Sequence, residues 1–311
     1  MYFTNDKYLP GHAAILFANI IFGLNLPISK MLLSVDYMTS LSLNFFRMAG
    51  GALLFWIASL FVKNEKVSLK DMLFLFLASF FGIQLNQITF LKGLGMTAPL
   101  DASVIATITP ILTMLIAALY LKEPITWKKV IGVLIGASGA LILILGTHKG
   151  GGESHLTGNL LCLLSGSSYA IYLVVFRNLV GLYKPVTLMK WMFLFATLGT
   201  LPLTWPDARM FPWGELSWDV IVQIAFVVVG ATFLAYLLIP LGQRILRPTV
   251  VSMYNYMQPL IAAIIAVTIG LDTFTWGKAL AGILVFLGVY VVTLSKSRIQ
   301  LETKKVEKGM V

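Results

Sequence analysis

The chain of 311 residues alternates, ten times over, between mostly apolar runs and short polar breaks. Each run is about 17 to 25 residues, long enough for a helix rising about 1.5 Å per residue to cross a hydrocarbon core of roughly 30 Å. Backbone surrounded by lipid must satisfy its own hydrogen bonds, so such runs are helices. They predict spans over roughly 10–33, 40–62, 70–91, 99–121, 128–146, 157–180, 187–204, 219–240, 248–269 and 278–295.

The pattern also repeats. ASVIATITPILTMLIAALYLKEPITWKKVIGVLIGASGALILIL from Ala102 is matched without a gap by VSMYNYMQPLIAAIIAVTIGLDTFTWGKALAGILVFLGVYVVTL from Val251. Pro99 meets Pro248, Ser103 meets Ser252, Pro110 meets Pro259 and Glu123 meets Asp272, each pair 149 positions apart. Thr126-Trp127, Lys129 and Gly139 find Thr275-Trp276, Lys278 and Gly288 at the same offset. Apolar letters coincide by chance in such a chain, but Pro, Trp and Gly at one constant spacing do not. Earlier positions repeat more faintly, with Gly11, Lys30 and Gly82 matching Gly158, Arg177 and Gly230. The expected organisation is a first five-helix repeat over 1–146, a Gly-rich linker over 147–157, a second repeat over 158–295 and a basic tail over 296–311. An odd number of helices per repeat reverses the membrane direction of the second copy. The expected fold is therefore an all-α integral membrane protein of ten transmembrane helices in two inverted five-helix repeats, an arrangement that goes with alternating access around a site between the halves.

Composition narrows the class further. With 58% hydrophobic and only 12% charged residues the chain falls outside the soluble globular range. The net charge of +10 would suggest nucleic acid in a soluble protein, but here it follows where the loops lie. With the N-terminus inside, Lys63, Lys66, Lys70, Lys122, Lys128, Lys129, Arg177, Lys184, Arg244, Arg247 and the tail all fall on one side, which makes both termini cytoplasmic. Nucleic acid is thereby excluded as a partner. The lipid bilayer and a small-molecule substrate are expected, with a second copy of the chain, as a homodimer, left open. Trp205, Trp213 and Trp218 on an outer loop suit an interfacial belt. A lone Cys162 within an apolar run excludes a disulfide framework. The N-terminal MYFTNDKYLPGH has no basic n-region, and no signal peptide is evident.

These features resemble the drug/metabolite transporter superfamily, specifically its EamA-type ten-helix permeases. The resemblance is carried by IFGLNLPISK in the first helix, Phe46-Arg47 in the second, TITPILTMLIAALYLKEPIT, YAIYLVVFR in the sixth, and Pro259 with its acidic turn. It implies a metabolite carrier in a bacterial cytoplasmic membrane, often an exporter of amino acids or related compounds. Asp272 stands where the family usually has Glu, and no Trp precedes Gly23.

Polar side chains at membrane depth are costly unless they face protein or water, so each one is a lining candidate. Asn25, Gln84, Gln87 and Thr107 come from the first repeat, and Tyr169, Tyr172, Tyr236, Tyr254, Asn255 and Gln258 from the second. Asn86 and Thr109 belong to the same polar clusters. Each could equally tie one helix to another. Pro110 and Pro259 break the helical hydrogen-bond ladder mid-run and are expected to act as paired kinks. Arg47 could fork onto a substrate carboxylate, or snorkel to the outer surface or a helix end. Asp101 is expected as a helix cap, and Glu123 and Asp272 as turn residues that pair with Lys129 and Lys278.

No Asp, Glu or His falls at the centre of a run, which disfavours a midplane proton relay. No catalytic, cofactor or metal-ligand motif is present, so no enzyme, cofactor or metal is expected. Aromatic and amide groups fit an amino acid or related solute. Uptake of a nucleobase, vitamin or nucleotide-like metabolite, and a non-transporting receptor or assembly subunit, stay open as alternatives.

Overall fold

The computed structural model describes residues 8–36, 38–97, 102, 105–146, 156–212, 214, 216–268 and 275–295. Asp101, Ser103, Trp213, Asp272, most of the linker and the tail 296–311 lie outside the described residues. Among the described residues ten main helical stretches follow one another: α1 (Leu9–Leu33), α2 (Ser40–Ser59), α3 (Leu69–Met96), α4 (Thr109–Tyr120), α5 (Trp127–Gly146), α6 (Leu156–Val175), α7 (Pro185–Arg209), α8 (Trp218–Gln243), α9 (Pro248–Thr268) and α10 (Trp276–Thr293). Seven of them, α1, α2, α3, α6, α7, α8 and α10, are long and apolar enough by length and composition to cross a membrane, and α4 is a shorter apolar helix. Among the described residues there is no strand.

Short polar residues in the breaks start these helices. Thr39 and Ser42 form a reciprocal capping box on α2, and Ser68 accepts from the Asp71 amide on α3. Thr126 and Thr275, partners in the repeat, accept from the Lys129 and Lys278 amides at the starts of α5 and α10. The following Trp127 and Trp276 are 76% and 85% exposed, as an interfacial residue should be. Helix α7 has no side-chain cap of its own, and Glu65 from the α2–α3 loop accepts its Lys184 amide at 2.9 Å. Burial pushes the Glu65 carboxyl upward, but hydrogen bonds from Thr187 and Lys184, with the charges of Lys184 and Arg244, hold it below the usual range.

Four local departures from the sequence pattern matter. Helix α3 runs to Met96, beyond the expected 91, and carries a π-helical stretch at Phe80–Leu85. Its counterpart α8 carries another at Phe226–Leu234. Helix α6 breaks at Phe176 and is followed by a short helix, Arg177–Leu182, where one continuous run to 180 is expected. Helix α9 is interrupted by a 3₁₀ turn at Tyr254–Tyr256. Apolarity averaged over a run reports burial in lipid, not hydrogen-bond register, so it carries no trace of such irregularities.

Packing obeys the repeat. Helix α5 lies on α10 and α2 on α7, each against its own counterpart, while α3 on α6 is matched by α8 on α1. Gly93 of α3 approaches the Gly158 carbonyl and Cys162, and its equivalent Gly242 of α8 approaches the Gly11 carbonyl and Ile15. Two hydrogen bonds join residues exactly one repeat apart in number: Gln87 to Tyr236 and Tyr256 to Thr107, both with a separation of 149. A rotation that exchanges the halves brings a residue onto its own counterpart only near its axis. These two pairs therefore mark the pseudo-twofold axis, and the polar residues around them sit where the halves meet.

Candidate functional site

The helices that meet near this axis line a half-open cavity of about 140 Å³, room for several water molecules. Helix α1 contributes Phe22, Asn25 and Leu26, spaced to share one face. Asn25 is buried and accepts from Ser29 Oγ at 3.2 Å, so its Nδ2 is left for the cavity. Pro27 interrupts α1 just beyond, and Gly23 allows Ile261 and the Gln258 carbonyl of α9 to come close.

Helix α3 places Asn86, Gln87 and Phe90 immediately after its π-helical stretch. Asn86 Nδ2 donates to both the carbonyl and the hydroxyl of Ser165, and Ser165 donates back to the Asn86 carbonyl at 2.9 Å. Gln87 Nε2 donates to Asn86 Oδ1 at 3.1 Å and to the Tyr236 hydroxyl at 2.6 Å, while its buried Oε1 has no partner. Helix α6 supplies Cys162, Ser165, Gly166 and Tyr169, a stripe one turn apart. Asn255 and Gln258 come from α9, and Thr109 opens α4. Gln258 donates to Asn19 Oδ1 at 3.0 Å.

Among the described residues Arg47 is the one charged residue in this lining. Its side chain is 1% exposed, and Nε donates to Thr232 Oγ1 at 3.2 Å. Thr232 Oγ1 in turn donates to the Val227 carbonyl five residues back, within the π-helical stretch of α8. The wide turn thus presents Thr232 to the arginine. Arg47 does not snorkel to a surface or a helix end. At eight residues into α2 it has no free route out past the packed α3, α7 and α8.

The structure therefore brings Asn25, Arg47, Asn86, Gln87, Thr109, Tyr169, Asn255 and Gln258 to one cavity. The other sequence candidates lie elsewhere. Gln84 donates to Ser79 and to the Phe195 carbonyl, between α3 and α7. Tyr172 covers Gly82 and donates to Gln243 at 3.2 Å. Tyr236 stands behind Gln87, and Tyr254 pairs with His12 Nδ1 at 2.7 Å. Thr107 offers its carbonyl to Tyr256 at 3.0 Å. Pro110 and Pro259 both follow a break, since α4 resumes at Thr109 and α9 at Met257 after its 3₁₀ turn. Ser165 was not singled out from sequence. Its signal was the spacing of Cys162, Ser165 and Tyr169 on one helical face. Phe22, Leu26 and Phe90 carried none, because apolar residues are everywhere in such helices.

At the end of the bundle away from this cavity, Glu123 is buried between Lys129 at 2.7 Å and Arg177 at 3.7 Å. The pairing with Lys129 is the one expected from sequence. Arg177 adds a tie from the α4–α5 turn of the first repeat to the end of α6 in the second. On the opposite side Lys30 donates to the Leu94 carbonyl at 2.9 Å, closing the C-terminal end of α3. Trp205 and Trp218 are exposed. Among the described residues no group of His, Cys, Asp and Glu could hold a metal ion.

Comparison with known proteins gives this architecture a context. The sequence profile of the EamA-like transporter family matches residues 9–145 and again 156–294. The chain is 25% identical to an uncharacterized transporter of Archaeoglobus fulgidus over 66% of this chain and 70% of that one. It is 24% identical to the uncharacterized transporter YetK of Bacillus subtilis over 74% and 70%, and 21% identical to a WAT1-related protein of Arabidopsis thaliana over 92% and 84%. A solved crystal structure superposes with a TM-score of 0.73 over 93% of this chain and 96% of its own at 17% identity, a likeness of fold alone.

Proposed function

The chain belongs to the EamA-like transporter family, a multi-pass membrane transporter, and from that premise we propose that it is a secondary carrier for a small metabolite, an amino acid or related compound, moved outward by alternating access. The observation that carries this reading is the cavity near the pseudo-twofold axis. Asn25, Gln87 and Thr109 of the first repeat wall it together with Ser165, Tyr169 and Asn255 of the second. A site shared in this way changes its side of access when one half rocks on the other. Pro110 and Pro259, each beside a helical break, are the hinges of this reading.

With the basic loops in the cytoplasm of a bacterial cell and both termini inside, the cavity occupies the outer half and the Glu123 cluster closes the inner end. Among the described residues the lining has no carboxylate or imidazole, so in this reading flux is not driven by protons taken up there. The bilayer and the solute are its partners, and nothing in the cavity suits nucleic acid. The reading needs no homodimer.

Cys162, the chain's one cysteine, lines the cavity and serves as a reporter. In right-side-out vesicles a small impermeant methanethiosulfonate should label it, and a transported amino acid should slow labelling and show saturable flux in proteoliposomes that ignores an imposed pH gradient. Strict dependence on the gradient would sink the uncoupled mechanism. Protection and flux with a nucleobase or vitamin alone would replace the substrate class, and binding without flux would make the protein a receptor.

A further inference from the structure

Building on the carrier reading, we propose that Arg47 receives the carboxylate of a singly charged organic acid, and that the carrier consequently reorients fastest when loaded, exchanging one acid for another. A guanidinium remains protonated at any physiological pH, so the cavity always holds one full positive charge. Among the described residues no carboxylate pairs with it. The ion pairs of the structure gather at Glu123, at the other end of the bundle. Only Nε is engaged, by Thr232, so the two Nη groups, the edge that matches a carboxylate, have no hydrogen-bond partner among the described residues. One helical turn earlier on α2, Asn44 is fully buried with both amide atoms unpaired. Polar groups beside Arg47 therefore outnumber the partners the chain itself supplies, and buried groups in that condition ordinarily have a ligand or water.

Charge counting selects the ligand. Among the described residues the lining holds no Lys, His, Asp or Glu besides this arginine, so one negative charge neutralises it. A phosphate or a dicarboxylate would need further cations, and a cationic solute would be repelled. Phe22, Leu26, Phe90 and the ring of Tyr169 give the rest of the wall an apolar character, which suits an organic acid better than an inorganic anion. An amino acid can place its carboxylate here and its ammonium group against amide oxygens and ring faces, but the loaded site then keeps a net positive charge. Acids whose amine is absent or blocked neutralise the arginine fully and are therefore favoured. The rival explanation is a purely structural tie from α2 to α8 through Thr232. A tie of that kind needs neither a permanent charge nor the outer edge of the fork.

The exchange property follows from the same charge. Between its two open states a carrier passes through one in which the site is shut off from both solutions. Empty, that state buries an unpaired cation, which is expensive. Loaded, it buries a neutral pair. The loaded path is therefore the faster one.

The test uses purified full-length protein with L-lactate and L-pyroglutamate against their uncharged primary amides, and protein-free liposomes to subtract leak. The acids should raise the melting temperature in detergent and the amides should not. Unlabelled acid inside proteoliposomes should speed entry of labelled acid by about tenfold, since pairing one buried charge is worth at least that factor. Arg47→Gln should bind acid and amide alike and lose the acceleration. Amides that stabilise and cross as well as acids in the wild type would overturn the proposal even if Arg47→Gln fails to fold, and equal rates with and without internal acid would overturn its exchange part. Acid-specific stabilisation without flux would keep the Arg47 site and remove the carrier reading. Saturable flux of neutral or cationic solutes with no acid preference would do the reverse.

Discussion

Tyr254 and Asn255 are neighbours in sequence with the same polar promise, yet they face different tasks. The Tyr254 hydroxyl is spent on His12 at 2.7 Å, while the Asn255 side chain lines the cavity and makes no hydrogen bond among the described residues. Asn255→Ala should leave thermal stability within about 0.5 kcal/mol and weaken apparent substrate affinity by about tenfold, the worth of one well-formed polar contact. Tyr254→Phe should do the opposite, losing about 1 kcal/mol of stability with KM unchanged. Detergent melting curves beside initial rates of uptake would show it, and matching effects of the two changes would remove Asn255 from the site. Polarity at depth was legible for both residues. Which of them was already satisfied was not, because His12 lies 242 positions away.

The α5–α10 crossing shows what a pair of helices does with a repeated glycine. Gly139 and Gly288 stood out in sequence only as a matched pair, but the folded chain presses each of them against the backbone of the opposite helix. A Cβ on Gly288 would lie 2.6 Å from the Gly136 amide nitrogen and 2.7 Å from the Gly132 carbonyl. One on Gly139 would meet the Ala281 carbonyl at 2.7 Å. Backbone cannot step aside as a flexible side chain can, and in lipid this close approach is itself a main source of helix association. Gly288→Ala should therefore cost about 1 to 3 kcal/mol, read as a lower melting temperature, whereas Gly277→Ala, with only the Thr275 hydroxyl within 4 Å, should be near neutral. Equal melting of the two variants would show that the crossing is looser than it is drawn here.

For the molecule as a carrier, the tie that matters most joins the repeats at the end remote from the cavity. Arg177 reaches Glu123 at 3.7 Å and is 36% exposed on its side chain, so this ion pair contributes at most about 1 kcal/mol, or about fivefold in the balance between two states. Arg177→Gln should leave the melting temperature almost unchanged, since Lys129 still pairs with Glu123 at 2.7 Å. It should nevertheless let the inner end open more often, and so slow labelling of Cys162 from the outer side by up to about fivefold. Labelling unchanged in the variant would mean that the ion pair does not hold the inner end shut. Glu123→Gln is a poorer probe, because it leaves Lys129 buried without a partner and threatens the fold itself.

The ten apolar runs, the inverted repeat and the family were decided by the sequence, because lipid imposes its demands locally: every crossing segment must be apolar and helical, and every duplicated Pro, Trp and Gly keeps its spacing whatever it touches. The polar residues at depth were likewise legible, as a list. Only the tertiary structure divided that list into those that face the cavity, such as Asn25, Gln87 and Asn255, and those spent on other helices, such as Gln84, Tyr172 and Tyr254. It also placed Arg47 inside the cavity, with no carboxylate beside it among the described residues. A side chain's partner is a matter of which helices meet, and most of these meetings join residues from different repeats, at separations that no local pattern encodes.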